Sequence, residues 1–95
     1  MVAPFPIAWE AEDTLRFVGK LTLRPDEFEL NGTATEPSRP RRVVIIQRVH
    51  VKSALVERTE EWPSVRITTK HTVYKVEILS GGRGAAMRLV EDLSM

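Results

Sequence analysis

Apolar and polar residues alternate along most of this chain, and the alternation has the period of a strand. Leu15, Phe17, Gly19, Leu21 and Leu23 recur at every second position, which predicts a strand with one apolar face. Arg24-Pro25-Asp26-Glu27 follows; proline at the second place of a four-residue turn pre-sets its backbone angle, and Asp suits the third. Phe28 and Leu30 resume the alternation. Pairing Leu23 with Phe28 sets Leu21 opposite Leu30 and puts all four side chains on one face, so turn length and pattern agree. Near the end, Val65-Arg66-Ile67-Thr68-Thr69 and Val73-Tyr74-Lys75-Val76-Glu77-Ile78-Leu79 predict a second hairpin. A turn centred on Lys70-His71 pairs Ile67 with Tyr74 and Val65 with Val76; lacking Gly or Asn, it reads as a four-residue loop rather than a tight primed turn.

The period changes only once. After Ser80-Gly81-Gly82, residues Ala86, Leu89, Val90 and Leu93 follow the i, i+3, i+4, i+7 rule, which predicts an amphipathic helix from Gly84 to Leu93. At that length a helix is not stable alone, so it must dock, and the open end of a curved sheet is the expected place.

Between the hairpins the signals are mixed. Asn31-Gly32 reads as a turn, and Asn31-Gly32-Thr33, although it fits a glycosylation sequon, is read the same way. Residues 36–40, with two prolines, read as an exposed loop. Val43-Val44-Ile45-Ile46 is a continuous β-branched run, which predicts a well-buried strand. A kink follows at Gln47-Arg48, then a strand with Val49, Val51, Ser53 and Leu55 on one face and His50, Lys52, Ala54 and Val56 on the other. Which face turns to the core is ambiguous near Ala54. Residues 59–64 read as a loop. Residues 1–12 carry two prolines and an alternating Phe5, Ile7, Trp9, which predicts an extended arm. It is read as an edge segment packed on a domain spanning residues 13–95, or as a partner-binding and self-associating arm.

Composition makes this one ordinary globular domain: 95 residues, 42% hydrophobic and 28% charged. Fourteen Lys/Arg against thirteen Asp/Glu leave a net charge of +1, which implies no global pull on nucleic acid or membrane. The absence of cysteine excludes disulfides and cysteine-based zinc sites. No apolar run approaches the ~18–20 residues of a membrane helix. The N-terminus does not read as a secretory signal, so the expected compartment is the cytoplasm.

A run of short antiparallel strands closed by one C-terminal helix resembles the pleckstrin-homology-like (PH-like) superfold, including its GRAM-type and small bacterial forms. The resemblance covers roughly residues 14–94. It is carried by Phe17 to Leu30 as the opening hairpin, Val44 to Val51 as the strand–kink–strand passage, and Tyr74 to Ile78 plus the helix as the ending. It implies a mainly β fold: a seven-stranded, two-sheet antiparallel barrel plugged by the helix. It also implies a recruitment module for phospholipid head groups, peptides or proteins, not an enzyme. Phosphoinositide-binding members carry Lys, a gap, then Lys/Arg-x-Arg. Lys20 and Arg24 match the first parts, but the last position is Asp26, followed by Glu27, and two acids oppose an anionic head group.

Candidate chemistry is sparse. Arg39, Arg41 and Arg42 form the densest basic cluster, suited to phosphate or an acidic peptide, or to guarding the start of an edge strand. With no aromatic residues interleaved, they do not predict a nucleic-acid platform. Ser80-Gly81-Gly82-Arg83-Gly84 lacks a P-loop ending and reads as a strand-to-helix turn. Trp62 is an interface anchor or a cap on the barrel. His50, His71 and the serines fall in no spacing that groups a nucleophile, a base and an acid, and no metal or cofactor is expected. The expectation is a non-enzymatic module for a protein or peptide partner, through Phe5, Ile7, Trp9 and Trp62. The alternative is anionic lipid bound through Lys20, Arg24, Arg39, Arg41 and Arg42.

Overall fold

The computed structural model describes residues 5–11, 15–35, 40–57 and 62–93. Seven strands and one helix are formed: β1 (Phe5–Ala11), β2 (Phe17–Leu23), β3 (Glu27–Ala34), β4 (Arg41–Gln47), β5 (Val51–Glu57), β6 (Ser64–Thr69), β7 (Val73–Ile78) and α1 (Gly82–Leu93). A single 3-10 turn, Arg48–His50, joins β4 to β5 at the predicted kink. The strands make one antiparallel sheet in the order β4-β3-β2-β1-β7-β6-β5, curled into a half-barrel.

Both predicted hairpins keep their predicted partners. Leu23 pairs with Phe28 and Leu21 with Leu30, while Ile67 pairs with Tyr74 and Val65 with Val76. At the second hairpin, the Thr69 N–H donates to the Thr72 carbonyl at 2.9 Å. The Thr69 hydroxyl oxygen accepts from the N–H groups of His71 and Thr72. A threonine side chain thus ties the turn that has no glycine.

The core lies on the concave face. Ile7 and Trp9 of β1, Leu21 of β2, Phe28 and Leu30 of β3, Val65 and Ile67 of β6, and Val76 and Ile78 of β7 are all buried there. The helix packs against β5, β6 and β7 and adds Ala85, Ala86, Leu89 and Leu93 to the same cluster. Its predicted stripe holds, with Val90 half-buried, and it starts two residues earlier than predicted, at Gly82. Gly81 permits this start: its φ of 89° lies in the left-handed region, and an added Cβ would come within 2.8 Å of Ala85 Cβ. Among the described residues no helix is long and apolar enough to cross a membrane.

Three expectations are corrected. First, residues 5–11 are not an edge arm but the middle strand, hydrogen-bonded to β2 on one side and β7 on the other. Pro6 is tolerated because its donorless side meets β7 just past the last ladder residue, Ile78, and its carbonyl still accepts from Leu79 N–H at 3.1 Å. Second, Asn31-Gly32 is not a turn; both lie inside β3, opposite Lys20 and Gly19. The Asn31 carbonyl accepts the Trp9 indole N–H at 3.1 Å, and its side-chain oxygen accepts the Lys20 N–H at 3.3 Å, so this residue is consumed by the sheet. Third, β4 is not well buried: Val43 and Ile45 are 51% and 54% exposed, and Ile46 alone is buried, because alternation turns Val43 and Ile45 to the open convex face, where Val18 of the inner strand β2 is exposed too. The ambiguity at Ala54 resolves through a register shift between Val51 and Ser53, which turns Ala54 inward and leaves Leu55 outside. Of the loop readings at 36–40 and 59–64, residues 36–39 and 59–61 lie outside the described residues, and Ser64 is instead the buried first residue of β6.

Candidate functional site: the open edge of the sheet

The basic residues singled out by sequence do not form one cluster. Strand alternation sends Arg41 to the convex face, with Val43 and Ile45, and Arg42 to the concave face, with Val44 and Ile46. Arg24 is engaged by acids, 3.5 Å from Glu27 and 3.3 Å from Glu29. The Glu29 carboxyl is held below the ordinary carboxylate range, first by the Asn31 amide at 3.0 Å and then by Arg24, with partial burial pulling the other way. Arg24 is thus already engaged by Glu27 and Glu29, and the acidic Asp26–Glu29 stretch is not an anion site. Lys20 is exposed on the convex face, level with Asn31 and Val43 and two register positions from Arg41. Arg39 lies outside the described residues.

Of the apolar candidates, Ile7 and Trp9 are core. Trp9 stacks on Phe17 with centroids 4.8 Å apart and tilts against Tyr74 at 6.4 Å. Their alternation marks packing, and they present no surface to a partner. Phe5 is half-buried against the core. Trp62 is partly exposed, two residues before the start of β6.

Sequence reasoning missed Val43, Ile45 and Val18, which the sheet leaves exposed on its convex side. The two margins of the sheet are β4 and β5. Ala34 N–H donates to the Pro40 carbonyl at 2.8 Å, and Arg48 N–H donates to the Asp26 carbonyl at 3.0 Å. These two bonds set the phase of the β3–β4 ladder: the even-numbered residues of β4 bond to β3. The N–H and C=O groups of Arg41, Val43, Ile45 and Gln47 therefore point out of the sheet. The β3–β4 register runs unbroken from Glu27↔Gln47 to Thr33↔Arg41, so this edge is regular along its length. The β5 edge carries the register shift at Val51/Ser53 instead, a device that discourages pairing.

Other polar groupings are structural. Arg48 donates through Nε to the Arg24 carbonyl at 2.9 Å. Its other nitrogens reach the Asp92 carbonyl and carboxylate, both at 2.8 Å. It thereby ties the β2–β3 turn and the 3-10 turn to the end of α1. Arg16 makes a two-pronged pair with Glu77. His50 and His71 stand edge to face at 5.6 Å. Among the described residues no group of three His, Cys, Asp or Glu is placed to hold a metal ion. Compared with known proteins, the chain matches no family model, no curated protein and no solved structure.

Proposed function

We propose that this chain is a non-enzymatic recognition module that takes a protein or peptide partner by strand addition at β4. One observation carries the reading: a regular edge strand, unpaired on its outer side among the described residues, whose outward residues include the exposed apolar pair Val43 and Ile45. An extended segment laid along it would satisfy the free main-chain groups and cover both side chains. Seven antiparallel strands followed by one helix against β5–β7 are in keeping with a PH-like barrel, whose open seam would lie between β4 and β5. Peptide-display selection on the full chain, followed by amide-resolved NMR, tests this. Enriched peptides should shift the amides of Arg41, Val43, Ile45 and Gln47, and Ile45→Lys should weaken them at least about tenfold, the loss of roughly 1.4 kcal/mol. Binders that ignore Ile45→Lys would sink the proposal, as would an empty selection from a chain that also shows no self-association through β4.

A second reading has its own support. Lys20 and Arg41 share the convex face with Val18 and Val43, a basic and apolar grouping suited to anionic lipid. Sedimentation with anionic vesicles, released by salt and by Arg41→Glu, would favour it over the peptide reading.

A further inference from the structure

We infer that the occupant of the β4 edge is a second copy of this chain, paired antiparallel about a two-fold axis through Val44. The inference rests on the reading of β4 as a protein-binding edge and names its partner.

The strand is complementary to itself. Its outward main-chain groups belong to Arg41, Val43, Ile45 and Gln47. Reversing β4 about Val44 sets Val43 against Ile45 of the second copy and Arg41 against Gln47 of the second copy. Every outward N–H and C=O then finds a partner, because the strand's own ends, Arg41 and Gln47, are equidistant from Val44. The exposed apolar side chains of the two copies form one contiguous row on the convex face, each covering its neighbour. An interface of this kind is isologous and closes on itself, so it terminates at two copies and uses up the edge.

Charge agrees with this register. The start of β4 is basic, with Arg41 and Arg42 on it and Lys20 two strands away. The end of β4 is acidic on the neighbouring strand, where Glu27 pairs with Gln47 and lies 3.5 Å from Arg24. Two-fold pairing brings Arg41 of each copy to the Gln47–Glu27 end of the other and keeps the arginines of the two copies apart. A parallel pairing would stack Arg41 on Arg41. The pairing uses one strand edge of seven residues in each copy, so the dimer is expected to be weak and to depend on concentration.

In this register the two Val44 residues form the non-hydrogen-bonded pair on the axis, about 4.5 Å apart at Cα. That separation lies within the ~4.4–6.8 Å window of a disulfide. The chain has no cysteine of its own, so a single introduced one reports without interference. Val44→Cys under mild oxidation should give a covalent dimer, whereas Lys52→Cys, exposed on β5, should not. Sedimentation velocity on the unmodified chain should show a monomer–dimer equilibrium. Ile45→Lys should abolish it, with an unchanged circular-dichroism spectrum showing that the fold persists. A chain monomeric at all concentrations overturns the inference. So does a Val44→Cys dimer no more abundant than that of Lys52→Cys, or a dimer that survives Ile45→Lys. If selected peptides still shift the β4 amides while the chain stays monomeric, the second copy is refuted and the edge reading stands. If neither occurs, both fall.

Discussion

Gly19 shows how little room a single position has. A Cβ built on it would lie 2.1 Å from the Asn31 carbonyl oxygen and 2.6 Å from Gly32 Cα. Both obstacles are backbone, so no side-chain rotation relieves them. Gly19→Ala should destabilise the protein by about 1–3 kcal/mol or more, measured by urea unfolding; a neutral result would mean that β2 and β3 do not approach this closely. Gly19 stands in the apolar alternation of β2 as if it were one more inward side chain. The indole N–H that reaches across the sheet to Asn31, and the close approach that glycine permits, come from residues distant in sequence and leave no mark in it. Tyr74, the single tyrosine, gives a clean second test. Burial raises its pKa above the ordinary 10.0, and the nearby Arg42 charge opposes that rise. Since the folded state holds the phenol proton more tightly, this contribution to stability is full below the unfolded value. It is lost as pH rises through the folded one. Arg42→Gln should push the Tyr74 midpoint higher in a spectrophotometric titration; an unchanged or lower midpoint would remove Arg42 from the concave face.

The two hairpins were legible down to individual pairs because turn length and a period of two leave one register that puts all apolar residues on the same side. The helix was legible for the same reason at a different period. What holds the helix in place was not. Arg48 sits in what reads as a kink, yet it is the tie between two turns and the Asp92 end of α1. Arg48→Ala should cost about 1–3 kcal/mol and speed amide exchange in the last turn of α1 more than elsewhere. Exchange that rises uniformly, or not at all, would show that α1 is held by its apolar face alone. That face is substantial: Leu89 is fully buried against β5–β7, and Leu89→Ala should cost about 2–5 kcal/mol in the same unfolding assay.

For the whole molecule the decisive fact is the order of the strands. Placing β1 between β2 and β7 turns the N-terminal segment into the centre of the sheet and leaves β4 and β5 as its margins. The candidate site follows from that order, since an open edge exists only where the sheet stops. If a second copy and a peptide use the same edge, adding a β4-binding peptide should dissociate the dimer in sedimentation. Binding without dissociation would place them on different surfaces. The sequence by itself determined what is local: the inward faces around both hairpin turns, both hairpin registers, the helix stripe, and the lack of cysteine. Periodicity and turn chemistry act over a few residues, and there the chain has one good solution. Tertiary structure alone decided which strands are central and which are marginal. It therefore decided that Ile7 and Trp9 are core, while Val43 and Ile45, equally apolar, are surface. The pairing of β1 with β7 joins opposite ends of the chain, and an apolar run reads the same whether a neighbour covers it or not.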